Sequence, residues 1–307
     1  MQLILVVANP NIVAMRGKLN RIITILTARL RLPYLVLLVV TFAPQVLYSQ
    51  VPLWYGGSRS AAMGFTSVAI TDSWSVLNNQ GALGFEKDYW LGAHFESRYM
   101  VKELSNSSVA ALVPLRPGTF GVALSNMGYS GYSETFASLA YGMMLTPELS
   151  AGIGLNYHRM AIAGEYGDAS AFSAALGLLY KPTSSLAVGA NVFNPTRTSL
   201  GDNASIPVTL RAGVSYSFSQ MFLLSAEVED NTDTDPVAKF GVEFLPIDAL
   251  ALRIGVSSEP VSLSFGLGYT FKRVCFDLAF SHHEVLGYTP FVSVSYRFGK
   301  SSTKISE

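Results

Sequence analysis

The chain has 307 residues, with 21 basic and 21 acidic side chains and a formal net charge of zero. Half of it is hydrophobic, only 14% is charged, and the mean hydropathy is positive. That balance argues against electrostatic nucleic-acid binding, and a lone cysteine, Cys275, leaves no internal disulfide or cysteine-based metal site.

Residues 1–49 read as a signal peptide. Arg16, Lys18, Arg21, Arg29 and Arg31 precede an apolar run from Tyr34 to Leu47. The run is short for a spanning helix and suits the hydrophobic core of an export signal. Leu47-Tyr48-Ser49 places a small residue before a cut at Gln50, and Met15 is an alternative start; an uncleaved anchor helix is the competing reading. Removing these residues takes away five basic and no acidic side chains, leaving 16 and 21, a net charge of −5.

Residues 50–88 do not alternate. Gly56 to Gly64 is a run of small residues broken by Arg59 and Met63. A flexible linker is one reading. The preferred one is a plug segment tucked inside the structure formed by the strands that follow, because their polar face is rich in glycine and needs filling.

From Tyr89 onward apolar residues recur with period two. Val261 to Phe271 reads V-S-L-S-F-G-L-G-Y-T-F, long enough to cross a bilayer as a tilted strand of roughly 9–11 residues. The pattern predicts about fourteen strands: Tyr89–Met100, Ser107–Leu115, Thr119–Met127, Thr135–Leu145, Leu149–Met160, Ala169–Tyr180, Leu186–Phe193, Ile206–Phe218, Gln220–Glu229, Pro236–Phe244, Leu250–Ser257, Val261–Phe271, Val274–Ser281 and Thr289–Phe298. A soluble sandwich and a membrane barrel share this alternation with opposite faces inward. Three features favour the barrel. Gly152, Gly154, Gly177, Gly189, Gly213, Gly255, Gly266 and Gly268 lie on the polar face, where they leave lumenal room, although bends or bulges are the alternative. Aromatic residues such as Tyr89, Tyr180, Tyr216, Tyr269 and Phe298 sit near strand ends on the apolar face, as interfacial girdles do. Short turns alternate with longer polar connections such as Gly128–Ser133, Asn194–Ser205 and His282–Tyr288. The fold expected is all-β: a transmembrane antiparallel β-barrel over 89–298 with an N-terminal lumenal plug over 50–88. Residues 299–307 form a tail.

Charges on the predicted inner face are Glu96, Arg98, Arg211, Glu227, Glu229, Lys239, Glu243, Arg253, Asp277 and Arg297. Facing lipid, an Arg or Lys at mid-depth would cost about 2–4 kcal/mol. They form either a polar pathway or a salt-bridged interior holding the plug through Arg59 and Asp72; the second is favoured. Asn78 and Asn79 complete the candidate lumen and plug contacts. His282-His283-Glu284 could supply metal ligands, but adjacent histidines on an extended chain point to opposite sides, and a solvated loop is the simpler reading. No motif of catalysis, nucleotide binding or a cofactor stands out, so the expectation is a non-enzyme with no cofactor and no metal.

The sequences Gly57-Ser-Arg-Ser-Ala-Ala-Met-Gly64, Ser67-Val-Ala-Ile-Thr-Asp72 and Asn78-Asn-Gln-Gly-Ala-Leu83 together resemble the N-terminal block of the PorV/PorQ family, Bacteroidetes outer-membrane proteins of the FadL superfamily. Gln80 and Gly81 replace the Pro and Ala of the family's last motif. Phe291 to Phe298 resembles the C-terminal assembly signal of such barrels, although nine residues follow it. The resemblance implies a 14-stranded barrel in the outer membrane of a Gram-negative bacterium with its lumen plugged. It implies an accessory to type IX protein secretion, with a translocon or secreted cargo as partner, or alternatively a FadL-like channel for hydrophobic small molecules. A purely structural barrel is the third reading. The short outer loops expected favour a compact partner-binding module, with membrane lipid as the common surrounding and no nucleic acid.

Overall fold

The computed structural model describes residues 54–164, 167–200 and 204–298. The signal-peptide and tail expectations lie outside them. Fourteen strands close into one antiparallel barrel. They are β1 (Tyr89–Ser97), β2 (Ser105–Pro114), β3 (Gly118–Tyr129), β4 (Tyr132–Met144), β5 (Leu149–Ile162), β6 (Gly167–Tyr180), β7 (Leu186–Phe193), β10 (Thr209–Ser217), β11 (Phe222–Asn231), β12 (Thr234–Ile247), β13 (Leu250–Ser258), β14 (Val261–Phe271), β15 (Val274–His283) and β16 (Gly287–Phe298). A two-stranded hairpin, β8 (Ser199–Leu200) with β9 (Ala204–Ser205), lies in the connection from β7 to β10.

Closure follows from the solvent. In hydrocarbon an unpaired backbone N–H or C=O costs several kcal/mol, so a sheet cannot keep its edges. Here β1 pairs with β16 from Tyr89↔Phe298 to Glu96↔Phe291. The apolar face points outward. Along β14 Val261, Leu263, Phe265, Leu267, Tyr269 and Phe271 are exposed, while Ser262 and Ser264 are buried; along β10 Leu210, Val214 and Tyr216 are exposed and Arg211 and Ser215 buried. This inversion is that of a lipid-facing barrel.

The rim that carries Tyr89 and Phe298 is here called inner, and the opposite rim outer. Four details depart from the sequence expectations. First, β1 ends at Ser97, not Met100, because Tyr99 and Met100 adopt positive φ of 54° and 58° and leave the ladder. Arg98 therefore sits in a 3-10 turn and not on a strand. Second, several outer connections expected as loops are tight turns. β3 and β4 pair up to Tyr129↔Tyr132, and β15 and β16 up to His283↔Gly287. Beyond the bilayer both strand faces meet water, so the apolar-polar alternation fades although the hydrogen-bonded ladder continues. Third, the 194–208 connection contains the unforeseen β8–β9 hairpin. It folds against β5 and β6, burying Leu200 and Ile206. Fourth, the two aromatic girdles are unequal: Tyr89, Tyr180, Tyr216, Phe218, Tyr269, Phe271 and Phe298 are exposed at inner-rim strand ends, while Phe95, Tyr129, Phe172 and Tyr288 lie exposed toward the outer rim.

The seam between β6 and β7 is uneven. β6 pairs with β5 along Gly167–Tyr180 but with β7 only along Ala175–Tyr180. Asn194 N–H donates to Ala174 O at 2.8 Å and ends that ladder. Among the described residues, the outer half of β6 pairs with β5 alone.

Candidate functional site

Residues 54–85 lie inside the barrel, and 86–88 lead out to its inner rim. Gly56-Gly57 leads into α1 (Ser58–Ala62), a turn through Gly64 and Phe65 follows, then α2 (Ser75–Asn78) and a 3-10 turn over Gln80–Phe85. Both helices are too short to stand alone. They are built from small residues because the space is tight: Ser58, Ser60, Ala61, Ala62, Ser75 and Val76 are all buried. Two wall glycines show how close the approach is. A Cβ on Gly255 would fall onto the Met63 and Gly64 backbone, and one on Gly177 would overlap the Asn79 side chain and lie 2.5 Å from Gly81 N. Gly268 differs: it faces the Asp277–Arg253 pair, not the lumenal segment.

Polar groups join segment to wall. The Glu227 carboxylate accepts from Ser67 N–H at 2.7 Å and Val68 N–H at 2.8 Å. Arg211 donates to Asn78 O and to Asn191 Oδ1. Asn78 Oδ1 accepts from Gly56 N–H and its Nδ2 donates to Gly56 O, both at 3.0 Å. Asn79 Nδ2 donates to Val68 O and, at 3.0 Å, to Leu178 O of the wall. Arg59 grips Glu243 through two hydrogen bonds. Arg253 also donates to Glu243, and to Asp277, each at 2.6 Å. Lys239 Nζ donates to Glu229 at 2.6 Å and to Tyr55 Oη at 2.8 Å. Buried charges of this kind are tolerated when paired and hydrogen-bonded.

The sequence-predicted residues therefore divide by place. Arg59, Asn78, Asn79, Arg211, Glu227, Glu229, Lys239, Glu243, Arg253 and Asp277 lie at the segment–wall contact. Asp72 faces Arg59 of its own segment at 3.9 Å and is not an anchor to the wall. Glu96 and Arg98 pair with each other toward the outer end. Arg297 lies at the inner rim, partly exposed, 3.6 Å from Asp88 and over the Trp90 ring; its long side chain reaches water instead of the lumen. Tyr55 and Asn191 were missed. Asn191 sits on the polar face of β7 and was findable by parity; Tyr55 precedes the alternating region and carried no periodic signal.

At the inner rim, Lys181 in the β6–β7 turn donates to Thr71 Oγ1 at 2.9 Å and lies over the Phe85 ring. Nearby, Glu86 accepts from Trp90 Nε1 at 3.2 Å. Burial, reinforced by the Asp72 carboxylate, pushes the Glu86 carboxyl up to about 7. Burial pulls the Lys181 ammonium down, and Glu86 partly offsets it.

At the outer end the segment leaves a chamber of about 290 Å³. Its floor is aromatic: Tyr55 and Phe65 ring centroids are 5.3 Å apart, and Phe65 and Phe291 are 5.9 Å apart. Its walls carry the Glu96–Arg98 and Glu229–Lys239 pairs and Asn106, and Tyr99, Glu259 and His283 lie toward the outer connections. A second, far smaller cavity beside Arg211 and Ser138 holds about 10 Å³, room for one water. Among the described residues no cluster of His, Cys, Asp and Glu is arranged to hold a metal ion. His282 packs on Tyr288, while His283 Nδ1 accepts from the backbone N–H groups of Val285 and Leu286.

No protein-family model and no curated protein matches the sequence. Solved structures match the fold. The P. putida toluene transporter TodX superposes with a TM-score of 0.67 at 16% identity, over 81% of this chain and 100% of that one. The Ralstonia pickettii toluene transporter TbuX gives 0.63 at 15% identity, over 81% and 100%. A Pseudomonas aeruginosa FadL homologue gives 0.60 at 11% identity, over 81% and 99%. The chain thus has the FadL-type barrel fold. The narrower PorV/PorQ membership finds no support in these comparisons.

Proposed function

We propose that the chain is a non-enzymatic outer-membrane channel that admits small, mainly apolar molecules from outside, with residues 54–85 as the element that closes its lumen. The carrying observation is the chamber at the outer end, whose floor is formed by Tyr55 and Phe65 of that segment against Phe291 of the wall. A purely structural barrel has no need of an aromatic-floored chamber opening beside its interior segment. The likeness to barrels described as toluene transporters supports the same reading. The partly unpaired outer half of β6 adds a weak seam in the wall. Partners on this reading are the membrane lipid and a small solute.

An accessory role in type IX secretion rests on the resemblance of the Gly57–Leu83 block alone, and the comparisons add nothing to it. One experiment separates the readings. Cells with an intact lipopolysaccharide layer, with and without the chain, are compared for toluene entry and for surface delivery of secreted cargo. A severalfold faster entry of toluene with unchanged secretion is expected. Unchanged entry together with lost cargo overturns the channel reading.

A further inference from the structure

The chamber carries more polar groups than a bare hydrocarbon can satisfy. Transfer of an unpaired amide or hydroxyl out of water costs roughly 1–3 kcal/mol in proteins, so a ligand that covers such groups without bonding to them binds poorly. Asn106 carries such a group, already withdrawn from water in the chain itself. It begins the inner face of β2, opposite Glu96, and is 1% exposed. It lines the chamber, and its Oδ1 has no hydrogen-bond partner.

We infer that the chamber binds a small neutral arene carrying a hydroxyl group, with the ring on Tyr55, Phe65 and Phe291 and the hydroxyl on the Asn106 amide. The inference rests on the channel reading and names its substrate class. A hydroxyl is both donor and acceptor. It can therefore satisfy the amide whichever way the oxygen and nitrogen are turned. The volume, about 290 Å³, stands at the small end of ligand pockets, which suits one or two rings. Charge argues for a neutral ligand. Glu96, Glu229 and Glu259 face the chamber against Arg98 and Lys239, and both cations are already engaged by Glu96 and Glu229. An anionic ligand would find no free cation among these groups.

Two lining residues also carry backbone strain, as do Met100, Asn194, Arg197 and Lys272 elsewhere. Phe65 on the floor has a φ of 65°, and Tyr99 at the wall has 54°. Side-chain-bearing residues held in the left-handed region cost of order 1–3 kcal/mol and cluster at ligand-binding sites.

The test uses the purified full chain and three probes of similar size: 4-fluorophenol, 4-fluorotoluene and 4-fluorobenzoate, with binding followed by ¹⁹F NMR. The phenol is expected to bind at least fivefold tighter than the other two. Asn106→Leu is expected to weaken phenol at least fivefold and leave the toluene unchanged or tighter. Equal binding of phenol and toluene by the unaltered protein overturns the inference without need of any variant, as does phenol binding indifferent to Asn106→Leu in a barrel that still folds. Entry of 4-fluorotoluene into cells through the chain, with no preference for the phenol, would leave the channel reading standing and this inference lost. Entry of neither arene would remove the channel reading itself.

Discussion

Arg59 and Glu243 meet side by side: Nε donates to Oε2 at 2.9 Å and Nη2 to Oε1 at 2.6 Å. The pair ties the lumenal segment to β12 across 184 positions of sequence. The two parallel bonds match the planar fork of a guanidinium to a carboxylate. Glu243 also takes Arg253, and Arg253 takes Asp277, so one carboxylate holds the segment and the wall's own network together.

Glu243→Gln should therefore loosen the segment more than the barrel. Removing one partner from a buried pair costs about 3–5 kcal/mol; Arg253 would keep Asp277 at 2.6 Å, whereas Arg59 would keep only Asp72 of its own segment at 3.9 Å. Single-channel recording in planar bilayers should show more frequent or larger openings, while heat-modifiable migration on gels persists. Conductance identical to the unaltered protein would show that this pair does not hold the lumen shut.

Gly255→Val tests closeness rather than charge. The new Cβ would occupy the position of the Gly64 backbone, and a well-packed interior charges about 1–3 kcal/mol for such intrusion. The segment is expected to shift off β13 and expose Arg59 to trypsin. Unaltered protease resistance would mean that the segment is not packed there.

Glu86 makes stability depend on pH. Its carboxyl titrates at about 7 in the folded chain, against about 4.3 when unfolded. A raised value means that its contribution is whole below about 4.3 and is lost as pH rises through about 7. Glu86→Gln should melt like the unaltered barrel at pH 4 and above it at pH 8. A difference between the two proteins that does not change with pH would contradict the burial assigned to this carboxyl.

Leu267 probes the outer face. It is exposed at the middle of β14, and Arg at mid-depth costs about 2–4 kcal/mol in a lipid-facing barrel. Leu267→Arg should lower the free energy of unfolding from lipid vesicles, measured by urea titration, by that amount, and Leu267→Ile should not. An Arg variant as stable as the parent would mean that this face meets water.

Much of the wall was legible because a strand declares its faces locally. Val261 to Phe271 was predicted and found with the same ends, since its alternation runs its whole length. Leu186 to Phe193 also coincided. Reading failed where another influence took over. Tyr99 left its strand through a positive φ that no neighbour announces. The β8–β9 hairpin is four paired residues within a polar connection, too few to show a period. Arg297 has the parity of a lumenal residue, but its height at the rim lets it reach Asp88.

The chain of amino acids by itself determined which side of each strand is greasy, because neighbours two apart share a face whatever the rest of the molecule does. Only the closed barrel decided that Arg59 reaches Glu243 while Asp72 does not reach the wall, that Gly177 and Gly255 lie under the segment while Gly268 does not, and that Asn106 ends without a partner. Those outcomes depend on how far each strand is staggered against the next when the sheet closes. Stagger accumulates around the whole circumference, so no short stretch of residues contains it.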